Sequence, residues 1–144
     1  MFNDIKALSK TCQETGEILN ALMAEGVFAN KHEAFTLIRT TMQVIRDRIE
    51  IGEAIHMAGQ LPALLRGFFY ENWNYTGVHQ KLRSKLTFSE EISRRIKGNE
   101  GLNIEKAIAP TLKVLFSAID ENEAKQVVHC LPKEIQSICP SEFQ

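Results

Sequence analysis

A motif written twice constrains this chain more than anything else in it. Glu53-Ala54, six residues and Leu61-Pro62 recur as Glu123-Ala124, six residues and Leu131-Pro132, each pair offset by 70 positions. A fixed offset of this kind is the trace of a duplicated structural unit. The repeated residues are helix punctuation rather than chemistry. Proline lacks the N–H that an interior helical turn donates, yet its fixed φ suits the first turn of a new helix. One helix should therefore end near Leu61 and again near Leu131, with the next beginning at Pro62 and Pro132.

Alignment of the halves on Leu-Pro brings their apolar positions into register. Ile38, Met42, Ile45, Ile49, Met57, Leu65 and Phe68 fall on Ile108, Leu112, Leu115, Ile119, Val127, Ile135 and Ile138. Ile38, Thr41, Met42, Ile45 and Ile49 recur at steps of three and four, the stripe of an amphipathic helix facing a core. No alternation of strand type competes with it. Asn30 with Glu33, Thr87 with Glu90 and Asp120 with Glu123 each resemble a capping box, in which the short polar side chain accepts an orphan backbone N–H and the acid reaches back. Each half should hold a long helix, a short helix and a third after the proline, with a further helix in front, at about residues 3–24 and about 88–97. Pro110 interrupts the second long helix and predicts a kink there, with the carbonyl of Lys106 freed. The fold class expected is all-α: a bundle of about eight helices in a single domain spanning residues 1–144. Half 1 covers about 3–72, a connector about 73–86 and half 2 about 87–140.

The totals exclude several classes of function. With 44% hydrophobic and 24% charged residues among 144, the chain can bury one good core, and its formal net charge of −1 supplies no global attraction to nucleic acid or anionic lipid. Cys12, Cys130 and Cys139 are odd in number and irregularly spaced, which argues against a disulfide framework and for a reducing compartment. No basic segment followed by an apolar run opens the chain, and no apolar stretch reaches membrane-spanning length. The expected location is the cytoplasm.

Between the halves lies Gly67-Phe68-Phe69-Tyr70-Glu71-Asn72-Trp73-Asn74-Tyr75-Thr76-Gly77, with the only tryptophan and both tyrosines. Such a cluster either pins the connector onto the core or offers a binding surface, and burial of large aromatic area favours the first role for Trp73. Together with Ile45-Arg46-Asp47-Arg48-Ile49, Glu53-Ala54, Gly59-Gln60-Leu61-Pro62 and Leu65-Arg66-Gly67-Phe68-Phe69-Tyr70, this stretch resembles the bacterial family catalogued as domain of unknown function 2267. The similarity continues through Phe88, Ile92 and Ile96 to Leu131-Pro132 and Cys139-Pro140. The resemblance implies an all-helical bacterial protein and brings no reaction, cofactor or catalytic residue with it.

Duplication supplies an internal control, because residues required by the repeated fold should recur and others need not. The arginines do not recur. Arg39, Arg46, Arg48 and Arg66 correspond to Ala109, Phe116, Ala118 and Gln136. Arg39 and Arg46, seven residues apart, lie almost one above the other on a helix and make a candidate anion-binding edge, while Arg48 falls on the opposite shoulder. The competing reading pairs them with Asp47, Glu50, Glu53 or Glu71 or lays their stems over apolar rim. Lys81, Arg83, Lys85, Arg94, Arg95 and Lys97 alternate with acids, the pattern of a solvated helix rather than a nucleic-acid face. His129, Cys130 and Cys139 lack metal-ligand spacing, and no nucleophile-base set or glycine phosphate loop is present. Glu53 and Glu123 are read as helix-start acids, so that Glu123→Ala should cost about 0.5–2 kcal/mol.

The expected function is a non-enzymatic protein-interaction or regulatory module, with a protein partner or self-association and neither nucleic acid nor membrane. The alternative is a small-molecule or phosphorylated-ligand binding protein using the cleft between the halves. Arg39, Arg46, Arg66 and Trp73 are the candidate contacts. No cofactor, metal or catalytic residue is expected.

Overall fold

The computed structural model describes residues 4–75, 85–96 and 101–144, with the side chains of Lys85 and Leu86 left aside. Helices α1 (Lys6–Ala24), α2 (Lys31–Arg48), α3 (Ile51–Gly59) and α4 (Ala63–Tyr70) precede α5 (Lys85–Arg95), α6 (Ile104–Ser117), α7 (Glu121–His129) and α8 (Lys133–Gln136). A short 3-10 turn, Ser141–Phe143, follows, and no strand occurs among the described residues. The protein is an all-α bundle of eight helices over these residues. None of them is long and apolar enough to cross a membrane.

Long helix α2 is the hub, packed against α1, α4, α5 and α6, while α6 also meets α1, α5 and α7. Helix α3 packs on both α4 and α7. The predicted stripe is the core: Ile38, Met42, Ile45, Ile49, Met57 and Leu65 are buried, and so are Ile108, Leu112, Leu115, Ile119, Val127 and Ile135. Phe68 and Ile138 lie half-buried against it. Backbone bonds 70 residues apart also match. The N–H of Ala54 donates to Glu50 at 2.9 Å and that of Ala124 to Asp120 at 2.9 Å, while Leu61 and Leu131 donate to Ala58 and Val128 at 3.1 and 3.0 Å. Pro62 and Pro132 occupy the N-cap positions of α4 and α8.

The helix starts follow the sequence in part. Asn30 Oδ1 accepts from the Glu33 N–H at 2.9 Å, and the Glu33 carboxylate reaches back to the N–H of Ala29 at 3.1 Å. Asp120 accepts from the N–H groups of Asn122 and Glu123 at 3.1 and 3.2 Å. Thr87 does not start a helix, because α5 is already under way at Lys85. Helix α6 opens instead on Asn103, whose side chain accepts from Lys106, and it runs on through Pro110 to Ser117. The C-terminal ends of α1 and α4 are shaped locally. Gly26, at φ 76°, turns the chain out of α1, and Asn72, at φ 56°, does the same after α4, each a residue type that tolerates the left-handed region. Gly77, His79, Lys81 and Arg83 of the connector, with Lys97 and Gly98, lie outside the described residues.

Candidate functional site

The first-half arginines are spent inside the fold. Arg46, only 4% exposed, donates through one terminal nitrogen to the carbonyls of Phe69 and Glu71, both at 2.8 Å. Its Nε and other terminal nitrogen hold the Asp47 carboxylate at 2.8 and 3.1 Å, and its guanidinium lies 5.7 Å from the Trp73 ring. The last carbonyls of α4 have no helical partner of their own, so Arg46 satisfies them from α2. Gln43 adds a bond to the carbonyl of Phe68 at 2.8 Å. Arg39 pairs with the Glu71 carboxylate and lies 5.0 Å from the Phe68 ring centre. Trp73 stacks on Tyr70 with ring centres 5.7 Å apart. Arg39, Arg46 and Trp73 thus meet at the end of α4, where they fasten that helix to α2.

Arg66 lies elsewhere. It donates to the carbonyls of Ala58 and Leu61 at 3.0 and 2.9 Å, closing the step between α3 and α4. Gln136, its counterpart, donates to Leu131 at 2.7 Å and does the same for the second step. Arg66→Gln should therefore keep most of the stability that Arg66→Ala loses, about 1–2 kcal/mol for bonds from a charged donor. Urea midpoints of the two variants would check this, and equal losses would contradict the shared role.

Arg48 reaches Glu91 of α5 at 3.3 Å; Glu91 also accepts from Arg94 and Arg95, and Arg95 bonds Asp47 at 2.9 Å. Arg94 and Arg95, members of the second basic stretch, are thereby ion-paired, sharing the carboxylates of Glu91 and Asp47 with Arg48 and Arg46. These guanidinium groups hold the Glu91 carboxyl below its ordinary range against the burial that opposes them. A cavity of about 340 Å³ does open between α1, the α3–α4 step and α6, with Glu14, Gln60, Pro62, Lys113 and Ser117 in its wall, but none of Arg39, Arg46, Arg66 or Trp73 lines it.

Two groups of residues stand out in their place, one not singled out in the sequence and one assigned there to helix starts. The first is apolar. The exposed large hydrophobic side chains among the described residues are Ile5, Leu8, Ile51, Ile55, Leu64 and Tyr75, and none follows Tyr75. Ile51 and Ile55, four apart, share one face of α3 and are 37% and 49% exposed; Leu64 on adjoining α4 is 40% exposed. Thr11 of α1 accepts from the N–H of Leu64 at 2.8 Å, which brings the start of α1, with Leu8 one turn away, alongside α4. At the matching positions of the second half stand Glu121, Lys125 and Glu134. Lys125 and Glu121 form an ion pair at 3.5 Å, the ordinary finish of a solvated helix face. The 70-residue offset would have exposed this contrast.

The second group is polar. Glu53 and Glu123 do not reach back to cap their helices. They face one another between α3 and α7, each with a buried Oε1 that has no hydrogen-bond partner, and His56 offers a ring nitrogen within 4.8 Å of both carboxylates. Burial, then the adjacent Glu53 carboxylate, then repulsion from Asp120, push the Glu123 carboxyl up to about 7. Its expected capping role is thus corrected: Asp120 alone caps α7. Cys130, at the surface, has its thiol raised by partial burial and then by Glu53, Glu50 and Glu123, and Cys139 is pushed up to about 12 by burial alone. Neither thiol is an activated nucleophile.

A family model described as an uncharacterized conserved protein (DUF2267) matches residues 15–138, and the chain belongs to that family. None of the curated proteins compared matches it.

Proposed function

We propose that this DUF2267 protein is a non-enzymatic interaction or regulatory module of the bacterial cytoplasm, and that it docks a partner protein on the face formed by α3, α4 and the start of α1. One observation carries the reading: Ile51, Ile55 and Leu64 are exposed at positions where the matching helices carry Glu121, Lys125 and Glu134. The helical unit does not need apolar residues there, since its other copy does without them. Exposed apolar side chains gathered on adjoining helices are the usual core of a protein interface. Arg94 and Arg95 of α5 are tied to Glu91 and Asp47 rather than left free to track a phosphate backbone. A ligand in the 340 Å³ cavity is the weaker reading, because the arginines expected to hold an anion are engaged elsewhere.

The double variant Ile51→Glu, Ile55→Lys copies the second half's own surface and tests this directly. Its thermal stability should stay within about 1 kcal/mol of the parent, since surface changes rarely exceed that. Partners recovered from the source cytoplasm should be lost, or, where the partner is a second copy, sedimentation should show a dimer becoming monomer. A variant that recovers the same partners in the same amounts, and sediments as the parent does, would refute the assigned face.

A further inference from the structure

We propose that Glu53, His56 and Glu123 form a binding site for a divalent first-row transition metal, of the Zn2+ or Mn2+ type, that clasps α3 to α7. Glu53 and His56 stand three residues apart, a spacing by which a helix presents both side chains to one ion. Glu123 enters from the other half. The ligand atoms lie within 4.8 Å of one another. Bonds from nitrogen or carboxylate oxygen to such an ion are about 2.0–2.2 Å, so two ligand atoms on one ion are at most about 4 Å apart, and side-chain rotations of about 1 Å close the set.

Three features separate this group from a chance gathering of acids. Imidazole is a ligand that surface acid clusters lack, and it favours first-row metals over Ca2+ or Mg2+. Glu123 is only 9% exposed, and its buried Oε1 has no partner; neither has the buried Oε1 of Glu53. A polar atom left so inside a protein calls for a proton, a water or an ion. The third feature is how the chain treats its other partly buried carboxylates: Glu14 is paired with Lys10, Glu25 with Lys113, Asp47 with Arg46 and Arg95, Glu71 with Arg39, and Glu91 with Arg48, Arg94 and Arg95, while Glu33 accepts from the N–H of Ala29. Only between α3 and α7 do two facing carboxylates each keep a buried, unpartnered oxygen with no Lys or Arg brought to them among the described residues. His56 is exposed, so an ion held here would keep a side open to solvent and an entry path.

Isothermal titration of the chelator-treated full chain with Zn2+, repeated with Mn2+ and with Ca2+, tests the site. One equivalent of Zn2+ should bind, Ca2+ should bind far more weakly, and saturating Zn2+ should raise the melting temperature. His56→Ala and Glu123→Gln should each weaken Zn2+ binding by more than about tenfold. His56 is exposed and its replacement leaves the core untouched, so that variant reports on ligation even where another changes stability. Cys130→Ser, which removes the nearest exposed thiol, should leave the affinity within about twofold of the parent. Absence of Zn2+ binding, or binding that survives both His56→Ala and Glu123→Gln, or binding abolished by Cys130→Ser, would each overturn the site and leave a carboxyl pair sharing a proton. The docking face on Ile51, Ile55 and Leu64 stands or falls separately.

Discussion

Arg46→Met should lower stability by about 3–5 kcal/mol, the range found when one partner of a buried charged group is removed and the other is left behind. At roughly 3 °C per kcal/mol for a chain of this size, the melting temperature should fall by about 10 °C. Methionine preserves the stem's bulk, so the loss isolates the guanidinium. What it leaves behind is specific: the carbonyls of Phe69 and Glu71 lose their donor, and Asp47 keeps only Arg95. Lysine should not rescue it, because a compact ammonium cannot span two carbonyls and a carboxylate as the planar fork does. Arg39→Met, by contrast, removes a half-exposed ion pair and should cost less than about 1 kcal/mol. Urea and thermal denaturation of the three variants decide the matter; a loss under about 1 kcal/mol for Arg46→Met would mean that water takes over the end of α4.

The same arginine shows where reading the sequence stops. Its replacement by Phe116 in the second half leaves two readings, a contact site or a structural pairing with acids such as Asp47, and the pairing is what forms. The structure also gives the reason it is not repeated: α4 continues to Tyr70, while α8 ends at Gln136, well short of Pro140, the position opposite Tyr70. A long helix exposes carbonyls that a guanidinium can collect, whereas in the second half Phe143 folds back and its ring meets that of Phe116, with centres 6.4 Å apart. Elements set by local chemistry were legible. The Leu-Pro steps, the caps at Asn30 and Asp120 and the core stripe depend on residues a few positions apart, and each falls where its spacing places it. Thr87 was misread because a threonine followed by an acid inside a helix looks, in one dimension, like a threonine starting one. Glu53 and Glu123 were misread for a related reason. An acid three residues after an N-cap can turn back to the cap or outward to another helix, and only the packing of α3 on α7 chooses between them. The apolar face was legible in principle, since setting Ile51, Ile55 and Leu64 against Glu121, Lys125 and Glu134 needs only the 70-residue offset of the two Leu-Pro motifs.

The carboxyl pair makes the second large prediction, with a sign opposite to a capping role. Glu123→Gln should stabilise the metal-free protein by about 2 kcal/mol at pH 8, the larger part of the roughly 3 kcal/mol that a carboxyl raised by two to three pH units costs once it ionises. The sign follows from proton counting. Glu123 has a folded value of about 7 against an ordinary 4.5, so between those limits the folded chain holds more protons than the unfolded one. Raising the pH through that window removes protons and, with them, stability; the loss is complete above about pH 7 and absent below about pH 4.5. Protonated Glu123 can donate to Glu53, and ionised Glu123 can only repel it. Glutamine keeps a donor at every pH, so the variant should melt about 5–8 °C above the parent at pH 8, with the gap closing to under about 2 °C at pH 4.5. Melting curves of both proteins at pH 4.5, 6, 7 and 8, with chelator present throughout, measure the effect. Parallel pH profiles would show that the two acids do not face each other unpaired. A variant less stable at pH 8 would restore Glu123 to the helix start that its spacing first suggested.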